Sequence, residues 1–181
     1  MNSPDVIYKW LDQSDLDLIV EIDRSEHITK TFLQKGPDLT IQDVDWQVPG
    51  WVTEGEGDHS INHIKSFCSD HLGRGAVMLG AFTNGRLVGV GILQPNLRPS
   101  TAQIAFLHVS LLYRRIGIAS RILKDLIKSA DEQGAKRIYI SATPSGSAVG
   151  FYLHHGFRPT GKPLPELLSL EPDDIHMVKR L

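Results

Sequence analysis

A single cysteine, Cys68, excludes an internal disulfide and suits a reducing compartment. Long hydrophobic runs are missing too. No stretch approaches the ~18 apolar residues of a membrane-spanning helix, so no membrane role is expected. The opening MNSPDVIYKWLDQSD has neither a basic n-region nor an apolar core, so it does not read as a secretory signal, and a cytoplasmic location is expected. Charge of one sign is not in excess: 19 Lys and Arg face 21 Asp and Glu, a net charge of −2. That balance offers nucleic acid no overall attraction and confines any basic site to a local patch. Repeats and linker-like segments are absent, so the 181 residues read as one domain, long enough to bury a core.

What is present divides unevenly. Val6 to Leu11 reads as a first strand, and SDLDLIVEID as a helix with Ser14 as N-cap. From Ile28 to Asp58 periodicity fades among prolines and glycines, and the expectation is a long loop arm, functional or mobile. DHSINHIKSFCSDHLG reads as a helix capped by Asp58 and closed by Gly73. The strands AVMLGAF and RLVGVGILQ flank Asn84-Gly85, a pair suited to a type I′ hairpin turn. TAQIAFLHVSL is a further strand. Ile118, Ala119, Ile122, Leu123, Leu126, Ile127 and Ala130 then mark an amphipathic helix ending near Gly134. KRIYISA, the short helix SGSAVGFYLHHG and the strand IHMVKRL complete a mixed α/β order.

Several chemistries lack their residues. No Glu follows His59 in the His59/His63 pair, as a zinc-protease helix would require, and no metal site is expected. GRLVGVG lacks dinucleotide-fingerprint spacing, no glycine loop carries a Walker A lysine, and Ser147 in GSAVG is misplaced for a nucleophile elbow. Cys68 has no activating neighbour in sequence and reads as a small buried residue.

YRRIGIASRIL is different. Gly117 stands at a helix start, where Ala would be the better helix former, beside Arg114 and Arg115. A helix N-terminus presents unpaired N–H groups and partial positive charge, both of which phosphate oxygens satisfy. A tight packing turn with solvated arginines is the other reading of this pattern.

The segment LHVSLLYRRIGIASRIL resembles the acyl-CoA-binding motif of the GCN5-related N-acetyltransferases (GNAT), with Arg114, Arg115, Ile116, Gly117, Ile118 and Ala119 at its core positions. SGSAVGFYLHHGF resembles the second motif, through Ser145, Ala148, Phe151, Tyr152, Gly156 and Phe157. The resemblance covers residues 75 to 181 well and the first third only by topology. It implies a GNAT fold: α/β (α+β), a mixed, mostly antiparallel central sheet flanked by helices on both faces. It implies an acetyltransferase with acetyl-CoA as co-substrate and no metal. The acceptor would be a small-molecule or peptide amine, a homodimer is one option for assembly, and the alternative is a non-catalytic acyl-CoA-binding regulatory module.

By the same resemblance, Arg114, Arg115, Ile116, Gly117, Ile118, Ala119 and Ser120 hold the pyrophosphate. Leu107 and Val109 line the pantetheine and offer an amide to the oxyanion, while Ser145, Ala148 and Phe151 complete the cofactor contacts. Tyr152 matches the general acid. The strand AQIAFLHVS has no carboxylate where many members carry one, so the base is sought in His108, in Glu21, Glu26, Glu54 or Glu56, or in ordered water. The arm's Asp38, Asp43, Asp45, Glu54, Glu56 and Asp58 beside Trp46 and Trp51 suit a cationic amine, or form a solvated acidic loop.

Overall fold

The computed structural model describes residues 5–181. Nine strands, four α-helices and two short 3₁₀ helices follow one another among these residues. β1 (Ile7–Leu11) leads into a 3₁₀ helix (Gln13–Glu21), the hairpin of β2 (Glu26–Lys35) and β3 (Asp38–Val48), and α1 (Ile61–Gly73). β4 (Val77–Thr83), β5 (Arg86–Arg98) and β6 (Thr101–Val109) form a meander. A 3₁₀ turn (Leu111–Tyr113), α2 (Ile118–Glu132), β7 (Arg137–Ala142), α3 (Gly146–His154), β8 (Arg158–Pro159), α4 (Pro165–Leu170) and β9 (Ile175–Arg180) complete the chain.

Seven strands make one sheet in the order β1-β4-β5-β6-β7-β9-β8. Its neighbours run antiparallel except β6 and β7, which are parallel because α2 crosses between them. Helices α2 and α3 pack one face through Ile118, Ile122, Leu126, Val149 and Tyr152. The first 3₁₀ helix and α1 pack the other through Ile19, Ile22, Ile64 and Cys68.

Two glycines of β5 set the depth of α2 on the sheet. A Cβ on Gly91 would lie 2.5 Å from Ile122 Cγ2, and one on Gly89 would lie 2.8 Å from Ile118 Cγ2. Gly89 and Gly91 of GRLVGVG therefore serve close helix–sheet packing. The Asn84-Gly85 turn has positive φ at both residues, 50° and 78°, as a type I′ turn requires. Gly134 (φ 85°) follows α2 as expected.

Three expectations need correction. The stretch from Ile28 to Asp58 is mostly not loop: β2 and β3 pair from Glu26↔Val48 to Lys35↔Asp38. Leu39, Ile41, Val44, Trp46 and Val48 do alternate with polar residues along β3, but the pattern slips at Gln42-Asp43 and stands among Gly36, Pro37, Pro49 and Gly50, which signal loop. The helix expected from Ser14 is 3₁₀, and its N-cap is Asp12, whose carboxylate accepts from Ser14 N while Asp15 returns the bond to Asp12 N. α1 is capped by Ser60, not Asp58, and Gly73 is its last helical residue, with Gly75 (φ 82°) making the turn beyond. β8 and α4 carry too few residues to show a period.

Candidate active site

β6 and β7 hydrogen-bond only from Thr101↔Arg137 to Gln103↔Tyr139, and then part. β6 runs on to Val109 with its other edge still held by β5. A register shift at Ala105, the unpaired residue between Ile104 and Phe106, falls where the pairing with β7 stops. Ser110 N donates to Val88 O at 2.9 Å, so by alternation Phe106, His108 and Ser110 direct their main-chain groups to β5. Leu107 and Val109 direct theirs to the open edge. Their side chains lie on the α2 face, against the positions of Gly91 and Gly89.

The open edge leads to the start of α2. Arg115 (φ 63°) and Gly117 (φ 91°) are both left-handed, and Gly117 is the N-cap with no side chain to cap the helix. The first helical bond runs from Arg121 N to Gly117 O at 3.0 Å, leaving the amides of Ile118, Ala119 and Ser120 without a helical acceptor. Arg115, Ile116 and Gly117 are exposed there, while Ile118 inserts its side chain into the core. Ser120 Oγ meets His155 Nε2 at 3.0 Å. The residues from Arg115 to Ser120 thus come together as an anion-receptive turn.

The Arg114 side chain turns inward. Its Nε donates to Val109 O at 3.0 Å, and its guanidinium pairs with Glu26 at 3.0 Å and reaches Ser25 O at 3.5 Å. It braces the loop against the start of β2. Ser145 is likewise engaged: buried at the N-cap of α3, it accepts from Ala148 N at 3.2 Å and meets Ser147 Oγ at 3.0 Å. On the same helix, Tyr152 is buried edge-on to Phe151 and Phe157, at 5.2 and 5.3 Å between ring centroids. Burial raises its phenol well above the ordinary 10.0, so it stays protonated. Phe151 is half-buried against His155.

His108 lies on the opposite face from α2, stacked on Phe106 at 5.9 Å. Burial, then the Arg114 and Arg24 cations, push its imidazole down to about 4, so it is neutral at physiological pH. A strap from Ile22 to Glu26 crosses this end of β6. Asp23 N donates to Ser110 Oγ (2.9 Å), Leu111 N to Asp23 O (3.1 Å) and Trp51 Nε1 to Ile22 O (2.9 Å). Glu26 joins Arg114 to α3, where Ser147 Oγ donates to it.

Of the four carboxylates considered as bases, Glu26 stands between the two limbs of the opening. Glu21 accepts from Leu87 N at 2.6 Å, tying it to β5, and Glu56 accepts from Asn62 Nδ2 at 3.0 Å on the exposed segment that also holds Glu54. Trp51 is pinned to the body, whereas Trp46 is 49% exposed. Burial pushes the Cys68 thiol up to about 12, which leaves it inert. Buried His71 meets Gln94 Oε1 at 3.1 Å, and no group of three His, Cys, Asp or Glu among the described residues is placed to hold a metal ion.

Arg24, Ser110 and Ser147 were missed from the sequence. Ser110 and Ser147 act on partners 87 and 121 residues away, which no local pattern announces.

The family model described as "Acetyltransferase (GNAT) family" matches residues 41–157. No curated protein sequence matches the chain. Among solved structures, nourseothricin acetyltransferase is 16% identical, covers 97% of this chain and 98% of its own, and has a TM-score of 0.70. PaiA N-acetyltransferase from Thermoplasma acidophilum, in complex with coenzyme A, is 16% identical over 98% of this chain and 99% of its own (TM-score 0.63). A GNAT family acetyltransferase from Elizabethkingia anophelis with acetyl-CoA bound is 22% identical over 65% of this chain and 83% of its own (TM-score 0.54). At these identities the structures share the fold.

Proposed function

We propose, from the premise that this chain belongs to the acetyltransferase (GNAT) family, that it acetylates a primary amine by direct attack on acetyl-CoA at the opening between β6 and β7. The observation that carries this reading is the open edge of Leu107 and Val109 running into the uncapped start of α2. Together they suit a thioester on a long arm that ends in a pyrophosphate. Bound acetyl-CoA supplies the activated acyl group.

The chain's residues supply the rest. The amides from Arg115 to Ser120, with the Arg115 side chain, bind the pyrophosphate. The Leu107 or Val109 amide donates to the oxyanion that develops when the amine nitrogen attacks the acyl carbon, a contribution of roughly 3–4 kcal/mol for such donors elsewhere. Tyr152, kept protonated by burial, gives its proton to the sulfur as the C–S bond breaks. The proton lost by the amine passes through ordered water. Neutral His108 and the Glu26 carboxylate, both against the Arg114 guanidinium, are the side chains assigned to that relay, and His108, being a weak base, orients the amine more than it deprotonates it. Ser145, Ala148 and Phe151 shape the far wall, with Ser145 acting through the start of α3.

The test is to incubate the purified chain with acetyl-CoA and a panel of primary amines, following thiol release and the mass of the product. An N-acetylated amine formed with one equivalent of free CoA supports the reading. Thiol release at the same rate with and without amine contradicts it.

A further inference from the structure

The segment from Glu21 to Glu26 carries three carboxylates and one arginine, and Arg24 pairs with none of them. Glu21 is taken by Leu87 N, Asp23 by Ser25 N and Ser25 Oγ (3.0 and 2.6 Å), and Glu26 by Arg114 and Ser147. The Arg24 guanidinium instead lies over the Trp51 ring, 5.2 Å from its centroid. Its Nη1 is buried without a hydrogen-bond partner among the described residues. An arginine nitrogen left dry and unpaired is costly, and arginine cannot escape by losing its proton.

Its position gives the orphan a meaning. Arg24 sits on the strap across the end of β6, where its main chain hydrogen-bonds the His108 imidazole on the face opposite α2, the side on which the reading above puts the acceptor. Trp51 is held from behind by its bond to Ile22 O, which fixes the plane on which the guanidinium rests. A planar guanidinium with unused donors matches a carboxylate in two-point geometry.

We infer that Arg24 receives a carboxylate of the acceptor, so that the amine acetylated here belongs to an amino acid or another amino-carboxylate rather than to a polyamine. The inference rests on the amine-acetylation reading above and narrows it. A cation–π contact with Trp51 alone would hold Arg24 without any substrate role, and the experiment separates the two.

Matched pairs differing only in the carboxylate, such as lysine with cadaverine and phenylalanine with phenethylamine, are assayed with the full chain and acetyl-CoA. The expected kcat/KM favours the amino acid by about 10–100-fold, the range of one charged hydrogen-bonded pair. In Arg24→Gln the ratio falls toward one, and in Arg24→Lys part of it returns, with the melting temperature and acetyl-CoA affinity read alongside as a check on folding. Equal or better turnover of the decarboxylated amines by the wild type overturns the inference while leaving amine acetylation standing. So does a ratio that Arg24→Gln does not move. Should Arg24→Gln not fold, the wild-type ratio and Arg24→Lys decide. Acetylation of neither series by a chain that binds acetyl-CoA overturns this inference together with the reading beneath it.

Discussion

The stretch from Thr101 to Phe157 and the stretch from Ile7 to Ser60 build their shares of the candidate site by different means. In the first, main chain does most of the work: a strand edge left open beyond Gln103, an uncapped helix start, and a left-handed glycine at 91°. In the second, side chains do it, through contacts such as Glu21–Leu87, Glu26–Arg114 and Arg24–Trp51 that join distant segments. Main-chain devices constrain residue type at fixed spacing, since only glycine tolerates such a turn cheaply. Side-chain bridges leave no such imprint. An unchanging co-substrate suits the first construction and a variable acceptor suits the second.

The sharpest break of this contrast is at Gly117. Gly117→Glu is expected to weaken acetyl-CoA binding about 10³-fold, by setting a carboxylate among the amides proposed to receive phosphate, as the loss of charge-assisted hydrogen bonds implies. Gly117→Ala separates backbone from charge. Nothing lies within 4 Å of its Cβ, so only the strained φ acts, for about 1–2 kcal/mol of stability. Unchanged affinity in Gly117→Glu, by equilibrium dialysis, would remove the turn from the cofactor site.

Tyr152→Phe comes next. It is expected to lower kcat by about 10²–10³-fold with acetyl-CoA affinity retained. Because burial raises the phenol above 10.0, the wild-type rate should also show no alkaline fall up to about pH 10 from this group. A variant as fast as wild type at saturating acetyl-CoA would show the ring to be core alone.

His108 tests whether the acceptor face is as dry as its neighbours imply. Its folded value, about 4, lies below the unfolded 6.5, so the folded state binds fewer protons between them. Its contribution is therefore present above pH 6.5 and is lost as pH falls toward 4, by up to about 3 kcal/mol. Asp174, raised by burial to about 7, acts with the opposite sign over part of that window, so the reading is the difference between wild type and His108→Gln. Denaturant titrations of both at pH 7 and pH 4.5 should converge at the lower pH. Parallel curves would mean that His108 is solvated.

The smallest contrast lies between the packing beneath α2 and the exposed hairpin. Gly91→Ala puts a Cβ 2.5 Å from Ile122 and 2.8 Å from Leu126, and should cost about 1–3 kcal/mol in a melt. Ile41→Ser, at a side chain 56% exposed on the hairpin, should fall within about 0.5 kcal/mol. Equal losses would mean that the ribbon is buried in solution.

The same difference explains what could be read from the residues. α2 was legible because Ile122, Leu126 and Ala130 are fully buried on one face of it, and the Asn84-Gly85 turn because it demands positive φ twice. The hairpin of β2 and β3 was not, since the alternation of Leu39, Ile41, Val44, Trp46 and Val48 slips at Gln42-Asp43 and is flanked by glycines and prolines that signal loop. In the site, the turn at Gly117 and Tyr152 stood in recognisable spacing. The inward brace of Arg114, the capping duty of Ser145 and the unpaired charge of Arg24 depend on which segments meet, and only the folded chain brings Ser25, Glu26 and Trp51 to them.

One calorimetric titration of acetyl-CoA and free CoA into the purified chain, with a melting scan alongside, tests the central claim most directly. Saturable binding of one molecule per chain is expected. With it should come a gain of roughly 2.7 kcal/mol in stability at about a hundred times the dissociation constant. No heat and no shift with either ligand at millimolar concentration would contradict it: the turn at Gly117 would then be packing alone, and the opening between β6 and β7 would hold no acyl donor.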